Sequence, residues 1–116
     1  MEKFISPDAH CTIDYGLSSA LAVVPALIGA NDNAIKMYGA LATTLTAYNA
    51  LTDTKVAVKP VISFKTHMKA DLVNLAGIYA LGFTKPIRKQ RNVLAFHVAF
   101  ATLATLNVLF TNPDQS

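Results

Sequence analysis

Tryptophan is absent from this chain, cysteine occurs once, and only 15% of its residues are Asp, Glu, Lys or Arg. Each shortage excludes something. The single thiol, Cys11, forms no intrachain disulfide and has no Cys neighbours for a structural zinc site, so it reads as a small residue at a helix start and leaves the redox compartment open. The low charge stands beside 53% hydrophobic residues, an imbalance that points to a membrane. Mean hydropathy is only +0.37, because Ala, Thr and Gly fill positions that Leu or Ile would hold in a greasier span. A soluble bundle therefore stays open as an alternative. Also missing are a Gly-rich phosphate loop, G-x-S-x-G, H-E-x-x-H and clustered Cys ligands, so the expectation is a protein that is not an enzyme.

The formal charge of +3 does not imply nucleic acid. The basic residues lie in loops between apolar runs without interleaved aromatics, and they read as interfacial anchors. Met1 to Asp8 places acids and a proline before any apolar run, so no cleavable leader is expected there.

What the chain does contain is a duplication. Ile5, Ser6, His10 and Asp14 match Ile62, Ser63, His67 and Asp71 at a constant offset of 57 residues. Further on, Asn33, Ala40, Ala42, Thr43, Thr46 and Thr52 match Asn92, Ala99, Ala101, Thr102, Thr105 and Thr111 at an offset of 59. The change of offset falls between Gly29-Ala-Asn-Asp-Asn33 and Phe83-Thr-Lys-Pro-Ile-Arg-Lys-Gln90, where a connecting loop absorbs added length at little cost. The chain thus reads as one domain, residues 1–116, with repeat 1 at about 4–54 and repeat 2 at about 61–113.

Four stretches lack Asp, Glu, Lys and Arg: Tyr15 to Asn31, Met37 to Thr52, Leu72 to Thr84, and Asn92 to Pro113. Crossing a hydrocarbon core takes about 20 helical residues, with roughly 17 as the lower limit. The fourth run qualifies and the first is at the limit. The other two reach spanning length only if Lys36, Thr66, His67 and Lys69 lie at the interface. Helix starts are expected at Pro7-Asp8 and at Ser63 or Thr66, and ends at Gly29, Lys85-Pro86 and Asn112-Pro113. Pro25, inside the first run, is expected to kink its helix.

Small residues in the second and fourth runs, among them Gly39, Ala42, Thr46, Ala95, Ala99 and Ala101, favour close helix packing. The expected fold is all-α: a four-helix transmembrane bundle made of two tandem two-helix repeats, with both His/Asp pairs and both termini on one membrane face. Lysine and arginine divide five against five between the two faces, which assigns no orientation.

His10 and Asp14, like His67 and Asp71, stand four apart, so each pair shares a helix face and can hydrogen-bond within it. The plainer reading is that these groups cap and orient each repeat's first helix, and it needs no cofactor. The sharper one is that duplication brings two histidines and two carboxylates together near a pseudo-two-fold axis as a zinc site. His97 lies inside the fourth apolar run opposite Tyr38 in the alignment, and it reads as a histidine hydrogen-bonded across the bundle. Asn49, Asn74 and Asn107 read the same way, as polar groups bonding between helices.

These features resemble those of the SPW-repeat proteins, small bacterial membrane proteins. The resemblance rests on His10-Cys-Thr-Ile-Asp14 and His67-Met-Lys-Ala-Asp71 at two helix starts, and on Leu51-Thr-Asp53 and Phe110-Thr-Asn112 at two helix ends. It spans Phe4 to Asn112. The Ser-Pro-Trp that names the family is replaced by Val24-Pro25-Ala26 and Ala80-Leu81-Gly82. The family implies a four-helix protein of the bacterial inner membrane and no defined activity.

The functional expectation is an integral membrane protein serving as a structural or accessory subunit, with membrane lipid, other subunits or a second copy as partners. The alternatives are a membrane metal- or ligand-binding module using the paired His and Asp, and a soluble four-helix bundle around a ligand.

Overall fold

The structure, a computed structural model, describes residues 2–114, and these form an all-helical unit. Four long helices carry it: α1 (Pro7–Leu27), α2 (Asp32–Ala50), α3 (Phe64–Leu81) and α5 (Arg91–Leu109), with a single turn, α4 (Lys85–Arg88), before the last.

Their starts follow the duplication. Ser6 and Ser63, matched at the 57-residue offset, each accept a hydrogen bond from the backbone N–H three residues on, at 3.2 Å in both copies. Ser6, not Asp8, is therefore the cap of α1. Pro7 occupies the first helical position, where its missing N–H costs nothing, and Asp8 instead accepts from the backbone N–H of Lys55. Helix α2 opens under Asn31, whose side chain accepts from the N–H of Ala34.

Helix α1 runs through Pro25 and stops two residues later, beside the end expected at Gly29. Gly29 then turns the chain with φ +73°, the one left-handed residue among those described. Lys85-Pro86 does not end α3; that helix stops earlier, at Leu81, and the pair opens α4, where proline is tolerated as at any helix start.

The two copies are joined by reciprocal contacts. Ile5 pairs with Thr111 and Ile62 with Thr52 through short parallel bridges, so the strand-like start of each repeat is tied to the end of the second helix of the other copy. At the opposite end Asn31 and Gln90, equivalent at the 59-residue offset, bond each other directly: both the backbone N–H and the side-chain amide of Asn31 donate to Gln90 Oε1 at 2.7 Å. Between these ends lies an apolar layer that includes Leu21, Ala34, Leu45, Ile78, Val93 and Phe100.

Packing within the copies is unequal. The backbones of α1 and α2 run in close contact, whereas α3 and α5 meet at few points, and Tyr79 stands between them with its hydroxyl on Thr105.

Polar groups are buried and large apolar ones exposed beside the apolar core. Among the described residues ten polar ones are buried, four of them ionisable groups at one end. Large apolar side chains face outward along the helices, with Leu27 77%, Val73 74% and Leu72 59% exposed. By length and hydropathy, α5 is apolar enough to cross a membrane.

Candidate metal centre

The four residues singled out by the duplication converge. His10 and Asp14 come from the first turns of α1, His67 and Asp71 from those of α3, and all four are buried. One ligand atom from each lies within 4.8 Å of every other. They sit just before the apolar runs that begin at Tyr15 and Leu72.

The short contacts cross between the copies. His10 Nε2 is 2.6 Å from Asp71 Oδ2 and His67 Nε2 is 2.9 Å from Asp14 Oδ2, while the contacts within each helix are both 3.2 Å. The contact expected inside each i,i+4 pair is present, and the shorter contacts between the copies are added to it. The helices face each other, and a partner on the opposite helix can point straight at the imidazole, whereas one on the same helix must lean along it.

Each group is also held from behind. Thr52 Oγ1 donates to the carbonyl of Tyr48 at 2.6 Å, so its oxygen accepts from His67 Nδ1–H at 2.7 Å. In the other copy Thr111 Oγ1 donates to the carbonyl of Asn107 and accepts from His10 Nδ1–H at 2.8 Å. This fixes both tautomers. With Nδ1 committed as a donor, Nε2 is the atom presented to the centre in each ring.

The carboxylates are aimed in the same manner. Tyr48 donates its hydroxyl to Asp71 Oδ1 at 2.6 Å, and Asn107 donates its amide to Asp14 Oδ1 at 3.0 Å, leaving both Oδ2 atoms facing inward. Tyr48 and Asn107 are equivalent at the 59-residue offset. Phe64 stacks on His67 and meets His10 edge-on, closing the outer side.

Burial alone would lower the basicity of His10, but the hydrogen bonds it donates to Asp14 and Asp71, together with their charges, outweigh it and raise its pKa to about 9. His67 is raised by the same balance. For Asp71 burial acts upward, and the hydrogen bonds from His10 and His67 overcome it, holding the carboxyl well below the usual range.

Such a donor set can hold a metal ion. Two imidazole nitrogens and two carboxylate oxygens suit a tetrahedral ion with bonds of about 2.0–2.2 Å, which places neighbouring donors roughly 3.3 Å apart. Reaching that spacing opens the 2.6–3.2 Å His–Asp contacts by less than about an ångström and draws in the donor pairs that stand farther apart, up to 4.8 Å.

The other polar candidates do different things. His97 is far along α5 from the cluster: Tyr38 donates to its Nδ1 at 2.7 Å, and its Nε2–H donates to the carbonyl of Ile78 at 2.7 Å. Both nitrogens are thereby satisfied. Asn49 donates to the carbonyl of Cys11 at 2.9 Å, tying α2 to α1. Asn107 joins the cluster directly, and Asn74 lines a cavity just below it, between Asp14, Asp71 and Phe100, with room for about one water.

Sequence reasoning missed Thr52, Thr111 and Tyr48 as parts of this centre. The two threonines were visible as a matched pair in the repeat alignment. Tyr48 was marked only by standing opposite Asn107.

Comparison with protein-family models, with curated protein sequences and with solved structures finds no match to this chain.

Proposed function

We infer that this chain is a non-enzymatic, four-span integral membrane protein whose two repeats close on a zinc ion held by His10, Asp14, His67 and Asp71. The observation that carries the zinc assignment is the convergence of four buried donor atoms within 4.8 Å. Burial of ionised groups costs several kcal/mol each after relaxation, and apolar residues of similar volume would often serve stability as well or better. A cluster that served only to pin two helices is therefore an expensive solution, and a metal gives its retention a reason. The outward commitments of Thr52, Thr111, Tyr48 and Asn107 fit the way ligands of a metal are oriented by their neighbours.

The membrane reading is supported by the exposed apolar side chains. Exposed Leu72, Val73, Val98, Leu103 and Leu109 make an outer surface suited to lipid, while histidine, aspartate and asparagine sit inside. Helix α5, 19 residues long and the one helix among those described with both the length and the hydropathy of a span, reaches about 28 Å, near the thickness of a hydrocarbon core. The resemblance to SPW-repeat proteins points in the same direction, to a bacterial inner membrane.

Metal analysis and calorimetry on detergent-purified protein test the zinc assignment. One zinc per chain, lost in the His10→Ala, His67→Ala double variant, is expected, and no binding at micromolar protein would end it. Carbonate washing of membranes tests the other half, since release into the aqueous fraction would mean a soluble bundle with its ligand inside.

A second reading, a structural or accessory subunit, is favoured by the outer groove of small residues between α1 and α2, lined by Ser18, Ala22, Ala42 and Thr46. A defined partner crosslinked to that groove in native membranes is its expected result, and crosslinking confined to other faces would remove it.

A further inference from the structure

The second copy departs from the first at one place. At the 57-residue offset the last residue of α1, Leu27, corresponds to Thr84, yet α3 already stops at Leu81. The missing turn and the longer connection leave an open groove between the end of α3, α4 and α5, lined by Tyr79, Phe83, Arg88, Leu94 and Val98 among others.

Its walls are apolar and its rim is cationic. Lys85, Arg88, Lys89 and Arg91 are all exposed, and among the described residues none of them forms an ion pair. The guanidinium of Arg88 lies 5.0 Å over the ring of Phe83, at the mouth of the groove, and Phe83 is itself 77% exposed. No Asp or Glu occurs between Asp71 and Asp114. At this end of the bundle Asp32 is the one acid, against five cations that include Lys36, whereas the end with the termini has five lysines and six acids.

The corresponding groove of the first copy includes Ala22, Ala42 and Thr43 and has no Lys or Arg in its lining. Apolar walls and a cationic rim therefore occur together only in the second copy's groove.

We propose that this groove is a binding site for one anionic phospholipid, its phosphate held by Arg88 with Lys85 and Lys89, and an acyl chain lying along Phe83, Leu94 and Val98. The charge selects the headgroup, because cations beside an anionic membrane surface each favour it by about 1 kcal/mol, roughly fivefold. The groove selects a lipid over free phosphate, because its walls offer nothing to a small hydrated anion. The site rests on the membrane reading and is independent of the zinc.

The test uses the full chain reconstituted into vesicles of phosphatidylcholine mixed with phosphatidylglycerol, followed by native mass spectrometry of the lipids that leave bound to the protein. Phosphatidylglycerol is expected to be enriched over its share of the vesicle. The Lys85→Gln, Arg88→Gln, Lys89→Gln variant should lose at least about tenfold of that preference, and a Lys55→Gln, Lys59→Gln, Lys65→Gln variant at the opposite end should keep it. Val98→Trp, which fills the groove and leaves every charge in place, should also lose the bound lipid.

Enrichment that is absent, or indifferent to the Arg88 variant, or equally reduced by the opposite-end variant, overturns the site while leaving membrane insertion intact. Retention of phosphatidylglycerol by Val98→Trp reduces the effect to surface charge and overturns the groove. Failure to enter vesicles of either lipid overturns the site and the membrane reading together.

Discussion

Zinc binding should expel two protons from the cluster. The number follows from the hydrogen bonds, since both Nδ1 atoms already donate to threonine oxygens whose own hydrogens are used on backbone carbonyls. Each Nε2 then faces a carboxylate oxygen at 2.6 or 2.9 Å, a separation at which two lone pairs would repel. A proton must lie in each contact, whether it rests on nitrogen or on oxygen. A zinc ion needs all four lone pairs, so both protons leave, and the buried cluster stays neutral as two positive charges replace two. In calorimetric titrations at one pH in buffers of different ionisation enthalpy, the observed heat plotted against that enthalpy should have a slope near two protons per zinc. Below neutrality the affinity should fall by about 100-fold per pH unit, tenfold for each proton displaced. Once free zinc reaches about 100 times its dissociation constant, the folded state should gain about 2.7 kcal/mol. A slope near zero with zinc bound would refute the reasoning, because it would mean that no proton stood between the rings and the carboxylates.

Four further outcomes are expected. Thr52→Val and Thr111→Val, which free the outer ring nitrogens, should each weaken zinc binding by roughly 10- to 100-fold while the helical content is unchanged, as read by calorimetry and circular dichroism; unaltered affinity would show that tautomer control is unimportant. In chelator, the raised pKa of His10 adds stability that is fully present below about pH 6.5 and is lost as pH rises through about 9, so the melting temperature of the metal-free protein should decline over that window. Tyr38→Phe leaves His97 Nδ1 without its donor and should cost about 1–3 kcal/mol in detergent unfolding, with zinc affinity unaffected because the two sites share no residue. Gly82→Ala places a Cβ 3.2 Å from the carbonyl oxygen of Tyr79 and 3.3 Å from the His97 ring, and it should destabilise the fold by about 1–3 kcal/mol.

Much of the architecture was legible because duplication is a sequence property. Matching His10 and Asp14 to His67 and Asp71 at one offset, and Thr52 to Thr111 at another, already implied two copies of a helix pair. Apolar runs and Asn, Ser and Gly punctuation placed the long helices. Their ends were less legible, since proline marks a boundary without saying on which side the helix lies: Lys85-Pro86 opens α4 where an end was expected. The 13-residue third apolar run also understated α3, which takes its first turns from polar residues that include the cluster itself.

Periodicity put each His and Asp on a common face, but it could not say which partner each would choose. That choice depends on the rotation of α1 and α3 about their axes and on the distance between them, both set by packing over the whole bundle. Hence the cross-copy bonds, and the placing of Tyr48 and Asn107 behind the carboxylates, emerged only in three dimensions. The sequence by itself determined that this protein has two like halves, each beginning a helix with the same pair of ionisable groups, because covalent order and helical period are local. Tertiary structure alone decided that the two pairs meet, that their inward atoms form one buried centre, and that the shortened α3 leaves a cation-rimmed groove, because each of these depends on distances between residues far apart in the chain.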